Sequence, residues 1–195
     1  VPSVTTVLDK TSDKTALIAW RKRVGDAEAN RVSTESAGLG TKVHNALEKF
    51  ILEEDYEIKG NNFVSILARD MTNLMINEGF GDVSEVWGTE VGLIAPGLYA
   101  GTTDCVGIHG GEEAIIDFKT SKKIKKEAWV QDYYLQCCAY ALAHNEMYDT
   151  NIRKCVILMV SRDVEFKQYT IEGDQFDHYC GLWAQRLEQY YQSIL

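Results

Sequence analysis

The spacing of apolar residues along the chain changes near residue 80. Before that point apolar residues recur every three or four positions, which is the period of α-helices with one buried face. The pattern predicts short helices within residues 5–36, an amphipathic helix over 41–54 that begins near Thr41, and another over 62–78 that ends at Gly79. The first part of the chain is therefore predicted to be helical.

After residue 80, short apolar runs and alternating segments are typical of strands. The pattern predicts three strands of a meander at residues 84–95, 98–108 and 113–120, followed by a helix at 127–146. Two more strands at 153–161 and 165–171 and a last helix from about 174 complete the chain. This order of elements predicts an α+β protein, with a central mixed sheet and helices on both of its faces.

Two aspartates and a lysine lie near the ends of predicted strands. Asp104 follows three small residues in the second strand, and Asp117 lies two residues before Lys119 in the third. Because side chains alternate along a strand, Asp117 and Lys119 share one face while Phe118 points to the core. Two carboxylates supply hard oxygen ligands for a divalent ion, and a neighbouring lysine can orient water or neutralise phosphate charge. Phosphodiester hydrolysis needs these groups.

The acid-x-lysine pattern alone is weak evidence, because it occurs three times, at Glu57–Lys59, Asp117–Lys119 and Glu165–Lys167. Each copy in isolation is more typical of a solvated strand or loop. Only the middle copy follows a buried-looking strand whose hairpin partner carries an acid beside glycines, where a strand end can open toward a ligand. Context therefore favours the middle copy.

Four segments, in order, resemble the motifs of RecB-like nucleases in the PD-(D/E)XK superfamily. They are Gly40-Thr-Lys-Val-His44-Asn-Ala-Leu47-Glu48, Gly101-Thr-Thr-Asp104, Ile116-Asp117-Phe-Lys119-Thr-Ser121 and Gln136-Cys-Cys-Ala-Tyr140. The first acid lacks a preceding proline and the second is Asp rather than Glu, and both departures are tolerated in this branch. Pro2-Ser-Val-Thr5 and Ala19-Trp20-Arg-Lys-Arg23 extend the resemblance to the mitochondrial genome maintenance exonuclease family and its phage and bacterial relatives, over residues 1 to about 190.

The resemblance implies a restriction-endonuclease-like core and a role for each matched residue. Asp104 and Asp117 would bind the metal together with the Phe118 carbonyl, and Lys119 would act on the attacking water and the scissile phosphate. His44 would be a further ligand, and an imidazole ligand widens the choice of cofactor from Mg²⁺ to Mn²⁺. Without the resemblance, the helical stripe that contains His44 is more typical of a core histidine.

The resemblance also places residues around this site. Gln136 and Tyr140, four apart on one helix face, would border it, and Glu90 lies near an acidic position of the family. Nucleic acid would contact Thr120, Ser121 and Lys122, and also the segment from Thr15 to Asn30, through Trp20, Arg21, Lys22 and Arg23. Trp20 with its three cations could stack on and clasp a single strand, although a lone tryptophan is more often part of a core.

The net charge of −9 and the pI of 4.9 argue superficially against a nucleic-acid partner. The distribution of charge matters more, because five lysines fall within residues 119–126, directly after the proposed catalytic strand. Such a patch can hold a phosphate backbone; a solvated loop is the alternative.

The five cysteines are an odd number without Cys-x-x-Cys spacing, so neither disulfides nor zinc are expected. The cysteine pattern of cluster-bearing relatives is lacking, so no iron-sulfur cluster is expected.

The length of 195 residues suits one well-buried domain and is short for two. We expect a single domain over residues 1–195, with a helical portion at 1–80 and a catalytic core at 84–195. No long apolar run or secretion signal occurs, so no membrane partner is expected. The expected protein is an intracellular monomer, cytoplasmic in a bacterium or encoded by a phage, or mitochondrial if a targeting segment has been removed.

Three functions fit these residues. The leading hypothesis is a metal-dependent DNA exonuclease that acts on free ends of single-stranded DNA during replication, repair or recombination. A structure-specific endonuclease on the same core is the second. A nuclease-like DNA-binding subunit without activity is the third, and the presence of Asp104, Asp117 and Lys119 together argues against it.

Overall fold

The computed structural model describes all 195 residues. Six α-helices and five β-strands follow the predicted order, with one difference near the amino terminus. The helices are α1 (Val4–Thr11), α2 (Thr15–Val24), α3 (Asp26–Ile51), α4 (Phe63–Gly79), α5 (Gln131–Tyr148) and α6 (Gly173–Ser193). The strands are β1 (Val83–Ala95), β2 (Tyr99–His109), β3 (Glu112–Ser121), β4 (Lys154–Ser161) and β5 (Phe166–Glu172). A 3₁₀ turn over Glu127–Trp129 precedes α5.

The five strands form one sheet in the order β1-β2-β3-β4-β5. Only the β3–β4 pair is parallel, and α5 connects these two strands as a crossover. Helices α1, α5 and α6 cover one face of the sheet, and α3 and α4 cover the other. The predicted α+β architecture with a mixed, doubly covered sheet is therefore confirmed.

The prediction of separate helices on either side of residue 40 is wrong. Helix α3 runs without a break for 26 residues, through Gly38 and Gly40. Each glycine costs about 1 kcal/mol relative to alanine inside a helix, but Leu39, Val43 and Leu47 on the same helix are buried against the sheet and offset this cost. Gly40 lies against strand β3, where an added Cβ would be 3.2 Å from the Thr120 hydroxyl oxygen. The glycine therefore permits a close helix-to-strand approach instead of ending a helix.

The amino-terminal helices contribute to both faces of the sheet. Ser3 caps α1 by accepting a hydrogen bond from the Thr6 amide. The Ala100 amide of β2 donates to the Pro2 carbonyl, which fixes α1 beside the sheet on the face of α5 and α6. None of the helices combines the length and the apolar character that crossing a bilayer requires.

Candidate active site

Asp104 and Asp117 meet where strands β2 and β3 separate. The pairing of the two strands runs from the hairpin at His109–Glu112 to Cys105–Ile116 and stops there. The next residue of β2 toward the open end is Asp104, and the next residue of β3 is Asp117. Because no ladder follows, one oxygen of Asp104 takes the place of the missing strand partner and accepts a hydrogen bond from the Phe118 amide at 2.8 Å.

Helix α3 brings His44 to this point. Its Nδ1 donates to the Gly40 carbonyl at 2.9 Å, and its Nε2 donates to the Phe118 carbonyl at 2.8 Å and lies 3.4 Å from Asp104 Oδ2. Both ring nitrogens face carbonyl acceptors, so the ring carries two protons and a positive charge. Burial lowers the pKa of His44, but Asp104 and the Gly40 carbonyl outweigh it and raise the pKa to about 9. For Asp104, burial raises the pKa, but His44 and the Phe118 amide hold it below the usual value. Asp104 is therefore ionised.

Asp117 and Lys119 form a nearly buried ion pair on the face of β3 that α5 covers. Their side chains are 3% and 20% exposed, and Lys119 Nζ lies 2.9 Å from Asp117 Oδ2. Apart from this ion pair, Asp117 Oδ2 is a buried oxygen without a hydrogen-bond partner. Burial raises the pKa of Asp117 to about 7 although Lys119 acts in the opposite direction. Such an atom has lost its water, and only the Lys119 ammonium compensates for that loss.

Helix α5 fixes the position of the lysine. Lys119 Nζ donates to Gln136 Oε1 at 2.9 Å, and Gln136 Nε2 donates to the Tyr140 hydroxyl at 2.9 Å. Burial lowers the pKa of Lys119, but Asp117 and Asp104 together raise it above its ordinary value. The ammonium is therefore charged, and its neighbours are Gln136, Asp117 and the Tyr133 ring. The structure thus joins Gln136 and Tyr140 to the three central residues.

Two glutamates complete the acidic surroundings. Glu90 lies opposite Asp104 on β1, with its backbone in the left-handed region at φ 50°. Burial, then Asp104 and Glu48, raise the pKa of Glu90. Glu48 follows His44 by four residues, on the same face of α3. Sequence reasoning did not single out Glu48, although the spacing from His44 is the signal that points to it.

The other predicted contacts of nucleic acid fall into two groups. Thr120, Ser121 and Lys122 continue from the end of β3 and line a surface cavity of about 330 Å³, together with Ser36, Leu39, Lys125 and Arg162. Trp20, Arg21, Lys22 and Arg23 lie on α2, which packs mainly against α3 and has no buried residue. Arg21 is held by Asp26 and Asn30. None of the four side chains makes a hydrogen bond or ion pair with the residues at the strand ends.

The sequence resembles two curated proteins along nearly its whole length. Mitochondrial genome maintenance exonuclease 1 of Homo sapiens is 26% identical over 205 aligned positions, which cover 97% of this chain and 58% of the human protein. The protein of that name from Xenopus tropicalis is 24% identical over 208 positions, which cover 97% of this chain and 57% of the frog protein. The chain therefore spans less than two thirds of the length of these relatives. No protein-family model matches the sequence.

A solved structure has a similar fold. A candidate exonuclease from Eubacterium rectale superimposes with a TM-score of 0.56 at 14% identity, over 80% of this chain and 66% of that protein. At this identity the likeness concerns the fold alone. The fold of the chain is similar to that of this exonuclease structure, which is consistent with the PD-(D/E)XK nuclease-like fold that the motifs imply.

A divalent metal is implied by the PD-(D/E)XK nuclease-like fold, and the donors at the strand ends fit one in part. Asp104 is ionised, and Asp117 presents a buried oxygen without a hydrogen bond, which a hard cation would satisfy. As the side chains stand, no three His, Cys, Asp or Glu groups are arranged to hold a metal ion. His44 uses Nε2 as a donor to Phe118, so it would have to release that proton before it could coordinate.

The role of His44 in the nuclease-like site can be tested by the His44→Ala variant. If the imidazole is a ligand, we expect the metal concentration for half-maximal cleavage to rise about tenfold or more. The measurement is a titration of cleavage with Mn²⁺ and with Mg²⁺, with His178→Ala on the exposed face of α6 as the control. An unchanged metal titration combined with a lower melting temperature would show that His44 is only a packing residue.

Proposed function

We propose that the chain is a metal-dependent DNA exonuclease that hydrolyses phosphodiester bonds from free ends of single-stranded DNA. The observation that carries the proposal is the meeting of Asp104, Asp117 and Lys119 at the open end of the β2–β3 pair, with Lys119 fixed by Gln136. The similarity to mitochondrial genome maintenance exonuclease 1 supports a nuclease as the class of enzyme.

The chemistry follows from the residues at the strand ends. Asp104, Asp117, the Phe118 carbonyl and His44 would hold the metal, which supplies positive charge to the phosphate and makes bound water more acidic. Lys119 keeps its proton and lies beside Asp117, where the ammonium can orient the attacking water or neutralise a phosphate oxygen. Gln136 holds the ammonium through Oε1 and is in turn held by Tyr140, so the donor is positioned before a substrate arrives.

The preference for free ends rests on α2. This helix stands on α3, joined to it by the turn at Gly25, and it exposes Lys22 and Arg23. In this proposal the cationic helix attracts the phosphate backbone, and the amino-terminal helices restrict access so that a strand enters by one of its termini. End-labelled single strands, duplexes and flaps, incubated with Mg²⁺ or Mn²⁺, would establish the class of substrate and the polarity of cleavage together.

A covalently closed single-stranded circle is expected to survive, while the same sequence in linear form is degraded to short products. The reason is that a circle has no terminus that could enter past the amino-terminal helices. The measurement compares the two substrates on one denaturing gel over the same time course, and cutting of the circle by a known endonuclease serves as the control. Rapid linearisation of the circle by this protein would favour the endonuclease alternative.

A further inference from the structure

Trp129 has the most exposed aromatic ring near the candidate active site. Its side chain is in the 3₁₀ turn before α5, and 67% of the residue is exposed. The turn itself is fixed, because the Trp129 amide donates to the Lys126 carbonyl at 2.9 Å and the next residue, Val130, is fully buried. The ring is thus held in solvent by an ordered backbone, so that little conformational entropy would be lost when a ligand stacks on it.

A line of side chains joins this ring to the strand ends. Tyr133, Gln136 and Tyr140 lie three and four residues apart on one face of α5, and Trp129 lies in the 3₁₀ turn directly before this helix, four residues ahead of Tyr133. Gln136 holds Lys119, and the Tyr133 ring lies between two cations, 4.7 Å from Lys119 Nζ and 5.1 Å from Lys125 Nζ.

The loop beside this line is strongly basic. Lys122, Lys123, Lys125 and Lys126 follow Lys119 within the next seven residues of a chain whose net charge is −9. Lys126 Nζ lies 5.7 Å from the Trp129 ring, and Lys125 Nζ donates to the Tyr133 hydroxyl at 2.9 Å. The one acid in the turn, Glu127, accepts a hydrogen bond from the Tyr134 hydroxyl. Aromatic faces alternating with cations match a polymer in which flat bases alternate with phosphates.

We propose that Trp129 and Tyr133 form a stacking surface for unpaired bases, while Lys122 to Lys126 hold the phosphates of the same strand and lead it along α5 to Lys119. The proposal rests on the proposed function, and it adds the feature that selects single strands. A duplex hides the faces of its bases, so an exposed indole has nothing to stack on except at an end or a flap. The lysines alone would hold either form.

Binding in the presence of a metal chelator tests the stacking surface without cleavage. The probe is a thymidine oligonucleotide of about 12 nucleotides, within the usual range of single-strand sites. Stacking should quench tryptophan fluorescence in the wild type, and Trp129→Phe should remove most of this quench. The affinity of Trp129→Phe for the oligonucleotide should stay within about threefold of the wild-type affinity. Trp129→Ala should bind about tenfold more weakly, the loss expected for one stacked base. Phe63→Ala is the control, because Phe63 is 77% exposed at the start of α4, away from this line.

An abasic oligonucleotide of equal length separates stacking from charge, because it keeps the phosphates and lacks the bases. Wild type and Trp129→Ala should bind it with affinities that agree within about twofold. Equal weakening on the normal and abasic strands, or no weakening on either, would overturn the proposal and leave Trp129 as a surface for another partner. The outcome is independent of the nuclease proposal: stacking without any cleavage under Mg²⁺ or Mn²⁺ would refute the enzyme and keep the stacking surface.

Discussion

The Asp117→Asn variant is expected to lose cleavage by about a thousandfold or more, the effect of removing several kcal/mol of charge stabilisation at the reaction centre. The substitution keeps the shape of the side chain and removes its negative charge. Single-turnover cleavage of a labelled strand measures the loss, and strand binding in chelator should persist because the lysines after β3 are unchanged. Glu165→Gln is the matched control, since it alters the acid of the similar sequence Glu165-Phe-Lys167, which leads into β5.

The same variant has a second, independent signature in stability. Burial raises the pKa of Asp117 to about 7 in the folded protein, far above its ordinary value. A raised acid pKa contributes stability that is present below the unfolded pKa and is lost as pH rises through the folded pKa. Wild type should therefore lose stability between about pH 4 and pH 7, whereas Asp117→Asn should not. In metal-free protein, the melting temperature of the variant minus that of wild type should increase over this range. A cleavage-competent variant, or a loss explained by unfolding, would refute the assignment.

Replacement of Lys119 by alanine is expected to lower turnover by about a hundredfold or more, because a positioned donor and its positive charge are lost. Metal binding should be affected much less, since the oxygens of Asp104 and Asp117 remain. Calorimetric titration with Mn²⁺ measures the second quantity, and single-turnover cleavage measures the first. Removing the cation leaves Asp117 without its ion-pair partner, so the melting temperature must be recorded for each preparation.

Lys167→Ala is the matched control for this experiment. Lys167 occupies the corresponding place in the Glu165–Lys167 tripeptide, and its ammonium lies 4.8 Å from the Tyr169 ring, on a strand without a nearby aspartate pair. We expect near wild-type turnover from it. Equal losses from Lys119→Ala and Lys167→Ala would mean that general surface charge, and not a defined active-site cation, is responsible.

Regular periodicity made much of the architecture and part of the candidate site predictable. Alternation along β3 placed Asp117 and Lys119 on one face and Phe118 on the other, and the four-residue spacing on α5 placed Gln136 beside Tyr140. These relations are local, because they depend only on positions within one element. The resemblance implied only that Gln136 and Tyr140 border the site, and the Lys119–Gln136 hydrogen bond between β3 and α5 follows from no spacing in the sequence.

The structural features that could not be predicted from the sequence depend on packing or on backbone conformation. Gly38 and Gly40 usually indicate a helix end, and only the contact between α3 and β3 explains why α3 continues through them. The left-handed backbone of Glu90 leaves no trace in the sequence. The exposure of Trp129 follows from the 3₁₀ turn, whereas the Trp20 segment is distinguished in the sequence by the resemblance and by its three adjacent cations.

The parallel β3–β4 pair also bears on the order in which the protein acquires activity. Lys119 and Gln136 are 17 residues apart and meet when the β3–α5–β4 crossover closes, whereas His44 and Phe118 are 74 residues apart. Closing the larger loop costs more entropy, so contacts from α3 are the later ones to form and the earlier ones to be lost. If the proposed function holds, a chain that has folded its crossover but not docked α3 is expected to bind nucleic acid without cutting it.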